Sequence, residues 1–401
     1  MLAQIVQGSL DGLSGQQEVE PGDMAGGTFG NTPLAALAAL SGTAFGGSSS
    51  PTLEALLGTD PRLIPWPSRL SEGDGEQGRW GAREMGSKGV AEQGSAPPCP
   101  PTPLHPCVSA PPLNWFPRPA GDNGRGMHWV PTLSQTPEVV DRFVRELQGM
   151  KIKWAVILND GTDTGRNDYL VERLTQAGIM PVMRIYTPGL QPIPPGQLEK
   201  LVRHYRDMGV HYYQIYNEPN LRFENGGRDP DVNRYLDQWV PAAQAVVRAG
   251  GLPGFGALSP GGDVDDLQFL RAALQELNRR GQAGILNWSW LSVHNYDWGD
   301  GKGFLRYRRY ADAIQNELGR LMPMIGTEGG TYSGEGLTAQ GQVDRVRQSY
   351  AYMANREPYF LAYSYWIIAN EAGGGHDGAF SHQALFRPDG VSPIVEALKE
   401  L

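Results

Sequence analysis

From residue 126 onward the chain alternates between two hydrophobic periods. Short runs rich in β-branched and aromatic residues fall at 127–130 (MHWV), 153–159 (KWAVILN), 180–186 (MPVMRIY) and 212–218 (YYQIYNE). They continue at 254–260 (GFGALSP), 288–296 (WSWLSVHNY), 323–328 (PMIGTE) and 359–368 (YFLAYSYWII). Between them the apolar residues recur at three- and four-residue spacing. Val139, Phe143, Val144 and Leu147 share one predicted helical face; so do Leu198, Leu201, Val202 and Tyr205, and Phe269, Leu270, Ala273, Leu274 and Leu277. Strand–helix alternation requires parallel strands with covered faces. Eight strands over 126–401, close to the roughly 250 residues typical of the fold, predict a (β/α)8 TIM barrel. The competing doubly wound sheet would need a glycine-rich phosphate loop near its first strand, and none is present.

Residues 1–125 follow neither period. Two short apolar stretches, Pro33–Leu40 and Thr52–Leu57, are predicted as brief helices; from Glu72 to Pro119 the chain is Gly, Ser, Pro and charge. Such a composition buries too little apolar surface to offset its ordering entropy. Residues 1–125 are therefore read as a tail and linker, mostly disordered, and 126–401 as the folded domain. The 53 glycines and 32 prolines, far above the usual ~7% and ~5%, are concentrated in that tail and in the loops after strands.

The net charge is −9, of which −6 lies in residues 1–110. Neither part is basic, which argues against nucleic acid or an anionic membrane as partner. No run reaches the ~18 apolar residues of a membrane span, and the N-terminus lacks the pattern of a signal peptide, so localisation is left open. Cys99 and Cys107, in CPPTPLHPC, lack zinc-ligand spacing; they form a small-loop disulfide or remain two free thiols.

Reactive side chains recur at the C-terminal ends of the predicted strands, where barrel active sites lie. The fourth run ends in Asn217-Glu218-Pro219, with Pro219 biasing Glu218 toward extended backbone. The seventh ends in Thr327-Glu328-Gly329-Gly330, the glycines leaving room for a ligand to approach. Carboxylates on strands four and seven can face each other across the mouth, as a retaining glycosidase requires.

At these residues the chain resembles clan A of the glycoside hydrolases, the group that includes cellulases, mannanases and β-xylosidases. The resemblance covers about 126–401. It implies Glu218 as acid/base and Glu328 as nucleophile, acting on a β-linked saccharide through a covalent intermediate, with no cofactor and no metal. It further implies that Asn217 binds the sugar 2-hydroxyl, that the Tyr296 hydroxyl bonds the nucleophile, and that Trp366 floors the sugar site. Arg184 is read as a cation near the nucleophile, and His294 as a mouth histidine contacting substrate or Glu218. Trp129 and Trp298, with Tyr186, Phe223 and Tyr332, are loop aromatics expected at the mouth. Glu371, His376 and Asp377 lie in a glycine-rich loop read as solvated. The rival from another class is a carbohydrate-binding or adaptor protein on the same barrel. Retention of both carboxylates argues against it, because two nearby like charges are costly without a use. A metal-dependent hydrolase would need a ligand cluster such as His-x-His on the first strand, which is missing.

Overall fold

The computed structural model describes residues 110–129, 136–297, 303–331, 337–369 and 383–401. Trp298, Tyr332, Glu371, His376, Asp377, Cys99, Cys107 and the two short helices expected before residue 60 lie outside them.

Eight parallel strands close into a barrel in sequence order, β8 pairing with β1. They are β1 (Arg125–His128), β2 (Trp154–Asp160), β3 (Met180–Tyr186), β4 (Tyr212–Ile215), β5 (Leu252–Leu258), β6 (Trp290–Tyr296), β7 (Met324–Gly330) and β8 (Phe360–Tyr365). The covering helices are α1 (Pro137–Gly149), α2 (Asp168–Gln176), α3 (Pro195–Asp207), α4 (Val232–Arg248), α5 (Asp266–Arg279), α6 (Arg306–Leu318), α7 (Ala339–Tyr352) and α8 (Ile394–Lys399). A two-residue ladder, β9 (Phe386–Arg387) with β10 (Gly390–Val391), precedes α8. No helix among the described residues is long and apolar enough to cross a membrane.

The amphipathic faces bury as their spacing predicts. Leu198, Leu201, Val202 and Tyr205 are inaccessible on α3, and Phe269, Leu270, Ala273, Leu274 and Leu277 are buried on α5. With the outward-facing strand residues they form one continuous strand–helix layer. Because side chains alternate along a strand, the other half of each strand fills the barrel. Its floor is aromatic: Trp154, Tyr212 and Trp290 interlock with ring centroids 5.6 and 5.8 Å apart. Above them Gln214, Ser292 and Thr327 form a polar layer, with Ser292 Oγ 2.7 Å from Thr327 Oγ1.

The N-terminal boundary differs from the sequence expectation. Residues 110–124, read there as the end of a linker, pack across the bottom of the barrel. Phe116 is buried against the floor residues. The Tyr212 hydroxyl donates to Pro117 O (2.6 Å), and Trp154 Nε1 donates to Asp122 Oδ1 (2.8 Å). Asp122 also accepts from Arg356 at 2.6 Å. Apart from a 3-10 turn at Leu113–Trp115, this segment lacks a period because it caps a floor instead of forming a barrel strand or an amphipathic helix. Removing the Phe116 ring should open a cavity there, so Phe116→Ala is expected to destabilise the barrel by about 3 kcal/mol. An unchanged denaturation midpoint with unchanged m-value would show that the segment is dispensable.

Candidate active site

Each wall of the barrel mouth is set by the strand that ends there. β3 is inward-facing at Val182, Arg184 and Tyr186, so its alternation sends a guanidinium to the mouth above an apolar floor. β6 does the same with Ser292, His294 and Tyr296. A register irregularity between β6 and β7 brings Glu328 directly opposite His294.

Glu328 is buried, at 6% exposure, and both its oxygens are engaged. Arg184 Nη1 donates to Oε1 at 2.5 Å, and the Tyr296 hydroxyl donates to Oε2 at 2.8 Å. Burial alone would raise its pKa, but the charges of His294 and Arg184 and the Tyr296 hydrogen bond outweigh it, leaving the value at about 2. Tyr296, raised well above the ordinary range by burial and by the Glu328 charge, stays a proton donor to it.

Glu218 keeps a partly exposed side chain, at 16%. Its Oε1 lies 2.8 Å from His294 Nδ1, which is 3.7 Å from Glu328 Oε2. His294 thus sits between the two carboxylates. Burial works against a charged imidazole there, but Glu328 and Glu218 together raise its pKa. The backbone of Glu218 departs from the extended form expected from Pro219: φ is +34°, and that of Tyr216 is +62°. The Glu218 N–H donates to Ala257 O at 2.9 Å, where β5 is itself irregular, with Ala257 at φ +55°. Left-handed backbone at non-glycine residues is costly and is held by its surroundings; here it aims the side chain at the mouth. Asn220 ties the same turn to the β5 loop through Ser259 and Val264.

Two further side chains of the site were not singled out by sequence. His128, at the end of β1, is 1% exposed with its ring 4.4 Å from the Trp366 ring. Burial foremost, then Arg184 and His294, hold it neutral with a pKa lowered to about 3, despite the Glu328 charge. The second is Glu224, in a 3-10 turn (Phe223–Asn225) after β4. It accepts from Asn217 Nδ2 at 2.6 Å. Burial foremost, with the Glu218 and Glu328 charges, raises its pKa to about 7, against the opposing pull of Arg184 and Asn217. For His128 the β1 run carried the alternation but not its phase, so it could not say which of His128 and Trp129 faces inward. For Glu224 the sequence carries no periodic signal.

The same alternation corrects Trp129. It is 1% exposed and packs edge-on against Phe143 of α1, centroids 6.1 Å apart, in the strand–helix layer and not at the mouth. The Gly329-Gly330 pair is also not a ligand approach. A Cβ at Gly329 would meet the Tyr363 ring at 2.5 Å and one at Gly330 the Tyr365 ring at 2.6 Å, so β8 packing requires these glycines. Trp366 is 9% exposed and beside His128; Tyr186 is half-buried; Phe223, at 69%, is the most exposed large apolar side chain among the described residues.

Glu218, His294 and Glu328 are also the candidate metal-ligand set among the described residues. Arg184 on Glu328 and the raised basicity of His294 put positive groups where a cation would sit, which disfavours one.

No family model matches the chain, and no curated protein matches it. Solved structures do. A monomeric beta-xylosidase from Caulobacter crescentus CB15 is 17% identical over 70% of this chain and 69% of its own, with TM-score 0.50. A GH39 beta-xylosidase from Caulobacter crescentus is 16% identical over 69% of this chain and 70% of its own, also at 0.50. A GH128 (subgroup II) endo-beta-1,3-glucanase from Pseudomonas viridiflava is 16% identical over 70% of this chain and 98% of its own, at 0.49. At such identities the likeness is one of fold, and in fold this chain is similar to the barrel glycoside hydrolases that its Asn217-Glu218 and Glu328 motifs resemble.

Proposed function

We propose that the chain is a retaining glycoside hydrolase acting on a β-linked saccharide, with Glu328 as nucleophile and Glu218 as acid/base. One observation carries the reading. A carboxylate oxygen of Glu218, one of Glu328 and a ring nitrogen of His294 all lie within 4.8 Å of one another. Retention needs carboxyl groups about 5–5.5 Å apart, whereas inversion needs roughly 6.5–9.5 Å to admit a water between them.

In the first step a Glu328 oxygen attacks the anomeric carbon. The bond to the leaving oxygen breaks, and that oxygen takes the Glu218 proton. In the second, Glu218 removes a proton from water, the water oxygen attacks the anomeric carbon, and the ester to Glu328 breaks. Arg184 and Tyr296 keep Glu328 ionised and aimed through the hydrogen bonds they make to it. Trp366 offers an aromatic face and neutral His128 a hydrogen-bonding edge to the sugar.

The test is a screen of aryl β-glycosides and β-linked polysaccharides, with the first-formed anomer followed by NMR. The β-anomer is expected first. Initial release of the α-anomer would refute retention, and oligosaccharide binding without any cleavage would favour the non-catalytic reading.

A further inference from the structure

We infer that Glu224 is a positioning residue for Asn217: it holds the Asn217 carboxamide so that its oxygen, not its amino group, faces a sugar hydroxyl beside the reacting carbon. The inference rests on the catalytic reading above. Asn217 Nδ2 donates to Glu224 Oε1 at 2.6 Å, while Asn217 Oδ1 is buried with no hydrogen-bond partner among the described residues. A carboxamide can turn over and exchange its two ends. An ionised carboxylate only accepts, so it selects the amino end and leaves the oxygen for a donor such as a sugar O–H.

Glu224 is itself fixed. The neighbouring Asn225 side chain donates to Pro219 O (2.9 Å) and Leu221 O (2.6 Å) and accepts from Arg234 (2.8 Å). Gly226, at φ +63°, closes the turn with its N–H on Phe223 O. Asn217, Glu218 and Glu224 thus belong to one loop folded back on Pro219. Among the described residues no cation lies within ion-pair distance of Glu224 to give it a purely structural partner. It faces Arg184 and Tyr186 from β3, Glu218 from the end of β4 and Glu328 from β7. A carboxyl whose pKa has been raised to about 7 by burial and two like charges is an expensive way to fill space. The sign of its pH effect follows. Above about pH 7 the carboxylate selects one orientation of Asn217; below it the protonated oxygen can donate to Oδ1, and the selection is lost.

The experiment compares an aryl β-glycoside that the wild type cleaves with its 2-deoxy analogue, using wild type, Glu224→Gln and Glu224→Ala. Glu224→Ala is expected to lower kcat/KM about 10- to 100-fold on the 2-hydroxy substrate, mostly through kcat, and less than about threefold on the analogue. Glu224→Gln, like the protonated acid, can both donate and accept, so it no longer selects one orientation of Asn217 and is expected to sit at the lower, low-pH plateau of the wild type. The wild type should step down to a lower plateau as pH falls through about 7 with the 2-hydroxy substrate, and the step should vanish in Glu224→Gln. Equal loss on both substrates, or wild-type behaviour of Glu224→Ala, would overturn the inference while leaving the hydrolase reading intact. If the wild type cleaves no glycoside at all, both fall. Should Glu224→Ala fail to fold, the pH step in wild type and Glu224→Gln decides: a step present in both refutes the role.

Discussion

Glu328→Ala is expected to lose at least about 10⁴-fold in turnover on every substrate, whatever its leaving group, because no attacking atom remains. Glu218→Ala should behave differently. A poor leaving group such as another sugar needs the proton, so polysaccharide cleavage should fall comparably. An activated aryl group departs with little protonation, so its first step survives, and the glycosyl-enzyme accumulates for want of a base. Azide attacks without a base. It should restore turnover in Glu218→Ala with a β-glycosyl azide, whereas in Glu328→Ala it can enter only from the opposite face and give the α-azide. The reverse pairing of product and variant would exchange the two roles. Wild-type rates in both variants would place the chemistry elsewhere.

Arg184→Met should cost about 10²- to 10³-fold in kcat/KM with no change in fold. The side chain is 7% exposed and donates directly to Glu328, the proposed nucleophile, so its loss leaves a buried carboxylate with one cation fewer. The pH dependence gives the sharper reading. Glu328 is protonated, and so disabled, below its pKa, which burial raises and His294 and Arg184 pull down to about 2. Hence Glu328, the proposed nucleophile, should stay ionised in the wild type well below the ordinary carboxylate range. Without Arg184 the pKa rises, and a complete loss of activity should enter from the acid side toward or above the ordinary carboxylate range. The same depressed pKa stabilises the fold above the ordinary carboxylate range and is lost as pH falls toward 2. Arg184→Met should therefore be less stable above the ordinary carboxylate range, with its deficit against wild type shrinking as pH falls. An unmoved acid limb would mean that Tyr296 and His294 suffice to hold Glu328 ionised.

Much of the frame could be read from periodicity. β3 runs over Met180–Tyr186, the run that the alternation of MPVMRIY marks, and the buried faces of α3 and α5 are those given by three- and four-residue spacing. These features are local: a strand's period of two and a helix's of 3.6 are written in neighbouring residues. For the same reason the sequence placed Arg184, Glu218, Tyr296 and Glu328 at strand ends without a structure, and barrel closure then necessarily gathered them at one mouth.

What the sequence left open depends on contacts between distant segments. It did not distinguish the inward His128 from the outward Trp129, because the phase of an alternating run is fixed only by what packs on each side, here the Trp366 ring and Phe143. It assigned Gly329 and Gly330 to ligand access, while Tyr363 and Tyr365 of the next strand are what exclude a side chain there. It took residues 110–124 as linker because Phe116 and Asp122 act through Trp154, Tyr212 and Arg356, far along the chain. Glu224 is the clearest case. Nothing in FEN marks it, and only the fold of the β4 loop brings its carboxyl onto Asn217 and among Glu218, Glu328 and Arg184. Sequence alone determined which side chains the strand ends could bring to the mouth. Tertiary structure decided which charges share it, because protonation depends on burial and distance, and neither is a property of neighbouring residues in the chain.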